Sequence, residues 1–182
     1  MTGFRHLGDE EVASLARLRV VRGRFEAPDG SNFERDIVRN QEVVAMVPVQ
    51  PDGCTVVLVR QYRGPIDQEL LEIPAGLCDL EGEDPDGAAQ RELAEEIGRR
   101  AGRLDLVARY FPAAGFSDQF VRLYLATELI EVPTDHQGIE ESHMTVEEFD
   151  LGGLDQAIAD GTLADSKTLI GLLLARDRLR ST

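Results

Sequence analysis

Apolar positions along this chain follow two periods, and the change from one to the other marks its main helix. Residues 16–26, "ARLRVVRGRFE", alternate in part and predict a strand. "APDGS" (27–31) is turn-rich and "NFERDIVRN" (32–40) predicts a returning strand, so the two form a β-hairpin. "VVAMVPV" (43–49) is a near-continuous apolar run, the mark of a strand buried on both faces. "QPDG" turns the chain into a further strand, "CTVVLVRQYR" (54–63), with Val56, Leu58 and Arg60 on one face and Val57, Val59 and Gln61 on the other. "ELLEIPAG" (69–76) is expected to end in a tight loop at Pro74-Ala75-Gly76. Beyond it the period becomes helical: Ala89, Leu93 and Ile97 share one stripe, with Asp84 as N-cap, Pro85 at the first helical position and Gly98 placed to stop the helix. Strands are predicted at 104–112 and 120–130, joined by "AAGFSDQ", with a loop at 133–138 and a short strand within 142–149. Helices are predicted at 151–161 and 165–179. Strands and helices mix without strict alternation, which predicts an α/β (α+β) domain on a mixed sheet.

Composition narrows the picture. The chain has 182 residues and 42% hydrophobic content, which suits one core domain with a small appendage. A net charge of -15 disfavours nonspecific binding to nucleic acid or anionic membrane, but leaves room for a small anionic substrate at a site screened by arginines or a metal ion. "MTGFRHLGDE" contains no apolar signal core, and no apolar run is long enough to span a bilayer. Cys54 and Cys78 have no metal-ligand spacing and read as ordinary thiols of a cytoplasmic protein.

Charge is unevenly spread. Residues 81–96 contain seven carboxylates and a single base, Arg91. On the predicted helix Glu92 and Glu96 lie one turn apart with Glu95 on the same side. Glu96 borders the apolar stripe most closely, Glu92 is beside it and Glu95 lies further out. Carboxylates on the shoulder of a buried face are costly unless neutralised, and Arg91 cannot neutralise three. A divalent cation can, because hard oxygens suit Mg²⁺ or Mn²⁺. The helix taken alone reads first as a solvated acidic face, the commoner meaning of such a run.

The residues around the helix point further. "GLCDLEGEDPDGAAQRELAEEIG" (76–98) resembles the Nudix box: Gly76 opens it, Glu83 is the spaced glutamate, and "RELAEEIG" (91–98) matches in full. One extra residue separates Gly76 from Glu83, and Arg99 stands where the pattern closes on an apolar residue. "VVLVRQYRGPIDQELLEIPAG" (56–76), "FERDIVRN" (33–40) and "DSKTLI" (165–170) resemble the ADP-ribose pyrophosphatase branch of that family.

The resemblance implies a Nudix-type α/β/α sandwich (residues 45–182) behind an N-terminal antiparallel β region (residues 1–44) that serves a homodimer. It implies Mg²⁺-dependent (or Mn²⁺-dependent) hydrolysis of ADP-ribose or a related nucleoside diphosphate sugar. A non-catalytic nucleotide-sugar binding module is the alternative. By carry-over, Glu92 and Glu96 are metal ligands, Glu95 is a further ligand or water holder, the Ala75 carbonyl faces a metal, and Arg91 orients the carboxylates. Glu83 supports the loop–helix junction. Arg63, then Arg60, are the candidates for the diphosphate, an arginine fork suiting phosphate. Glu72 binds metal or ribose, or is an exposed strand residue. Gly115 and Phe116 belong to the implied substrate loop, where Ala114 replaces the branch's usual proline. The general base falls to Asp135, the lone carboxylate of 133–138, with Glu95, Glu140 and Glu141 as alternatives.

Overall fold

The computed structural model describes residues 3–16, 18–134 and 142–181. The chain divides into two compact units, Met1–Glu42 with Tyr110–Phe120, and Val43–Arg109 with Val121–Thr182.

In the first unit, strands β1 (Arg5–Ser14), β2 (Arg19–Glu26) and β3 (Asn32–Arg39) form an antiparallel sheet in the order β1-β2-β3. The predicted hairpin is β2–β3, with Ala27 and Gly30 closing the turn and Phe25 opposite Phe33. Those two rings stack at 5.3 Å, a cross-strand pair that pins the register. β1 is an addition to the strands predicted from the sequence. It is polar and largely exposed, so no alternation signals it. The turn at 113–118 is stitched to β3: Val38 N–H donates to the Phe116 carbonyl (2.8 Å) and Asn40 N–H to Asp118 (2.9 Å). Arg39 bridges Asp118 and Asp9.

The second unit holds two sheets and the helices. β4 (Val43–Pro48), β5 (Thr55–Arg63), β6 (Gln68–Glu72), β7 (Ala75–Leu77), β8 (Arg99–Tyr110), β9 (Val121–Glu131) and β10 (Thr145–Asp150) are arranged as β10-β5-β6 and β7-β4-β9-β8. β4 runs parallel to β9 and antiparallel to β7, so the second sheet is mixed, as the element order predicts. The expected loop at Pro74-Ala75-Gly76 is corrected here: Ala75 and Gly76 are in β7, paired with Ala45 and Val44. That pairing is made across thirty residues of chain and leaves no local mark.

Helix α1 (Pro85–Ile97) starts at Asp84, whose side chain accepts from Gly87 N–H (2.7 Å), and stops at Gly98, at φ 60°. Helices α2 (Leu154–Ala159) and α3 (Ser166–Leu179) follow a 3₁₀ turn at Leu151–Gly153. The apolar run 43–49 is buried because its alternating side chains serve two layers. Val44 and Met46 join Ala89, Leu93 and Ile97 of α1 and Tyr124 and Ala126 of β9 in one core cluster. Val47 and Leu123, on the opposite face, crowd Gly171 of α3 so closely that a Cβ there would meet them and Ile73. Helix, mixed sheet and helix form the sandwich. Among the described residues no helix is long and apolar enough to cross a membrane.

Candidate active site

Two pieces of backbone build the site: the shoulder of α1 and the segment that leads from β6 into β7. Helix geometry places Glu92 and Glu96 against the core margin, at 9% and 5% exposure, and leaves Glu95 half-buried. That order is the one the sequence periodicity predicts. The Glu96 carboxylate accepts from Ala75 N–H at 3.1 Å. The Glu92 carboxyl occupies the space that a Cβ on Gly76 would need. Both acidic groups therefore meet the strand at one corner, Ala75–Gly76, and the corner is open to them only because residue 76 lacks a side chain.

Arg91 is the hub on the solvent side. Its Nη1 donates to Glu92 (2.6 Å) and Glu95 (3.2 Å), its Nε to Glu83 (3.1 Å), and its Nη2 to Glu83 (3.1 Å) and the Leu77 carbonyl (3.0 Å). It clamps Glu83 with a two-pronged pair and reaches Glu92 and Glu95 through single bonds from Nη1. Burial works against its charge, but Glu83 and Glu92 outweigh that and hold the guanidinium firmly protonated. Glu83 thereby ties the loop before α1 to the helix. Among the described residues no three His, Cys, Asp or Glu side chains are gathered closely enough to hold a metal by themselves. The acidic oxygens are held by Arg91 and by the strand.

A second charged group lies at the end of β5. Arg63 makes a two-pronged pair with Glu72 of β6, with Nε and Nη2 each 2.7 Å from a carboxylate oxygen. Glu72 is fully buried, which removes the exposed-strand reading: its face of β6 is covered. The Glu72 hydrogen bond keeps Arg63 charged more firmly than usual. Lys167 of α3 also bonds to Glu72, and to Asp165 at 3.0 Å. Sequence reasoning missed Lys167. The available signal is a lysine in the first turn of a helix. Arg60, one face away, is engaged elsewhere, with Nε 2.6 Å and Nη2 3.1 Å from Glu147 on β10.

Gly115 and Phe116 belong to the other unit, in the turn fixed to β3. Phe116 is 59% exposed there and Gly115 has open space around it. Asp135, Glu140 and Glu141 lie outside the described residues.

Comparison with known proteins adds a pattern to this geometry. The family model described as "NUDIX domain" matches residues 39–165. An ADP-ribose pyrophosphatase of Mycobacterium tuberculosis is 33% identical over 170 residues, covering 93% of this chain and 82% of its own. An ADP-ribose pyrophosphatase of Bacillus subtilis is 32% identical, covering 87% of this chain and 89% of its own. A crystal structure titled as an ADP compounds hydrolase superposes with a TM-score of 0.85 at 24% identity, over 98% of this chain and 95% of that one, which establishes the shared fold.

Proposed function

The chain belongs to the Nudix family and is a Nudix hydrolase, and we propose that its reaction is cleavage of the pyrophosphate bond in ADP-ribose or a closely related nucleoside diphosphate sugar. The products are a nucleoside monophosphate and a sugar phosphate. The observation that carries this reading is the corner at Ala75–Gly76, where two buried carboxylates one helical turn apart meet a strand. The ADP-ribose pyrophosphatases among the relatives support the choice of substrate.

The donor set fits a divalent cation. Glu92 and Glu96 offer hard oxygens at a common corner, the Ala75 backbone adjoins them, and Glu95 is one hydrogen bond to Arg91 away. Mg²⁺ or Mn²⁺ is the proposed ion, and when bound it neutralises the diphosphate and acidifies a bound water. The residues do the rest. Arg91 keeps Glu92 and Glu95 aimed and balances their charge. Arg63, fixed by Glu72, offers its outer edge to the phosphates. Arg60 faces Glu147 and is the weaker candidate for that role. Water adds to one phosphorus, the bridging oxygen leaves with the other phosphate, and a carboxylate takes the water's proton. Asp135 is the proposed base, with Glu95, Glu140 and Glu141 as its rivals. Gly115 and Phe116 are the proposed substrate-loop residues.

We also propose a homodimer through the N-terminal strands, on the ground that Phe4, Leu7, Val12 and Leu15 are exposed apolar side chains on or beside β1. Among the described residues Cys54 and Cys78 form no disulfide, and a cytoplasmic setting is part of the proposal.

The experiment is direct. Purified protein with Mg²⁺ or Mn²⁺ is incubated with ADP-ribose, other ADP- and GDP-sugars, diadenosine polyphosphates and coenzyme A, and nucleoside monophosphate is quantified. Release from ADP-ribose or a nucleotide sugar is expected. Saturable binding of one of them without release from any would replace hydrolysis by recognition. Asp135→Asn, Glu95→Gln and Glu140→Gln then locate the base.

A further inference from the structure

Lys167 stands where a helix disfavours it. α3 begins at Ser166 behind the N-cap Asp165, so Lys167 is in the first turn, at the positive end of the aligned peptide dipoles. Its side chain does not turn out to water: it is 14% exposed, and Nζ bonds to Glu72 and to Asp165. Glu72 already has both oxygens matched by the Arg63 fork. A buried carboxylate paired with one guanidinium is electrically complete, so a second cation on it is surplus. Asp165 offsets that surplus only in part. It is the N-cap, its Oδ2 is taken by Thr168 N–H (2.9 Å) and Oγ1 (2.7 Å), and its charge also serves the helix end.

We propose that Lys167 is a positioning residue for the diphosphate. By sharing the neutralisation of Glu72, it leaves Arg63 with uncancelled positive charge and an outer edge free for an anionic diphosphate. The inference rests on the nucleoside diphosphate reading of this site. Three features fit it. Arg63 keeps 40% of its side chain exposed although its fork is committed inward. Among the described residues its Nη1 makes no hydrogen bond. The same turn of α3 also fixes the strand that holds the acidic corner: Thr168 Oγ1 accepts from Ile73 N–H at 2.9 Å, and two residues on, Ala75 N–H holds Glu96. Residues 72–75 thus tie the cationic and the acidic halves of the site to one short backbone segment. Without Lys167, Glu72 would cancel the Arg63 charge, and a diphosphate would meet a neutral pair.

The test uses Lys167→Met, Lys167→Arg and the double variant Lys167→Met/Glu72→Gln. Two readouts are taken: KM and kcat for ADP-ribose, and calorimetric affinity for inorganic pyrophosphate, which needs no turnover. Lys167→Met should raise KM and weaken pyrophosphate binding by about tenfold, with a much smaller change in kcat. Lys167→Arg should retain both values. The double variant should recover most of the pyrophosphate affinity, because Arg63 then faces no carboxylate. Thermal unfolding is followed throughout, and Lys167→Gln replaces Lys167→Met if the latter does not fold. A double variant as weak as Lys167→Met would overturn the inference, since a structural role for Lys167 is not relieved by removing Glu72. A fall in kcat at unchanged KM and pyrophosphate affinity would also overturn it, as would wild-type protein that does not bind pyrophosphate. Wild-type protein inert toward ADP-ribose, with the expected pyrophosphate series, would sink the substrate reading and leave this inference standing.

Discussion

One methyl group separates Gly76 from alanine, and the Glu92 carboxyl already occupies the place it would take. Gly76→Ala forces β7 or α1 to retreat, an overpacking that costs about 1–3 kcal/mol. Because the displaced group is a proposed metal ligand, the initial rate should fall further than the unfolding midpoint does; both are measured on one preparation. Glu96→Gln keeps shape and removes charge. Second-layer changes at metal sites already cost about ten- to a hundredfold, so loss of a ligand should lower turnover by at least about a hundredfold. Retained activity in a folded Glu96→Gln protein would withdraw Glu96 from the ligand set. At this scale the sequence was informative wherever geometry is local. The burial order of Glu96, Glu92 and Glu95 follows from helical angles alone. Glu72 was not legible, because whether a strand face is covered depends on α3, which arrives 95 residues later. Arg60 was not legible for the same reason, its partner being 87 residues away.

Helix α1 depends on its two ends. Asp84→Ala removes the acceptor for Gly87 N–H and should cost about 1 kcal/mol. Gly98→Ala should cost about 1 kcal/mol or more, because φ is 60° there and a Cβ would sit 3.0 Å from the Val132 carbonyl. Denaturant midpoints check both. The β10–β5 edge has a pH-dependent clip. The hydrogen bond from Arg60 holds the Glu147 carboxyl below the usual carboxylate range. A carboxylate lowered in the folded state adds stability above its unfolded value and loses it as pH falls through the folded one. Both partners are about a third exposed, so the contribution is at most about 1 kcal/mol. Glu147→Gln should therefore destabilise slightly near neutrality and make the loss of stability from about pH 7 to about pH 3 shallower, as read by urea unfolding. Elements with local signals, such as caps, turns and apolar runs, were legible. β1 was not, because a polar strand at a sheet edge has no buried face to pattern it. β7 was not, because Pro-Ala-Gly has the chemistry of a turn and becomes a strand only by pairing with β4.

For the whole molecule, the dimer reading predicts twice the chain mass in light scattering. Val12→Lys on β1, at a position 55% exposed, should shift the population toward the monomer while leaving the fold intact. An unchanged mass distribution would remove β1 from the interface. The mixed sheet has a consequence in time. β4 is made early in the chain and β9 late, yet they are parallel neighbours, with Val43 opposite Val121 and Pro48 opposite Ala126. α1 has all its caps within its own sequence and can flicker into existence on the ribosome. The strand corner that receives its carboxylates rests on β4, and β4 lacks its central neighbour until β9 has emerged. Until then the nascent chain carries a dense anionic helix with no settled surface beneath it. Closing so wide a loop is intrinsically slow. Catalytic competence should therefore be among the last properties this polypeptide gains during synthesis, well after its helical signal has appeared.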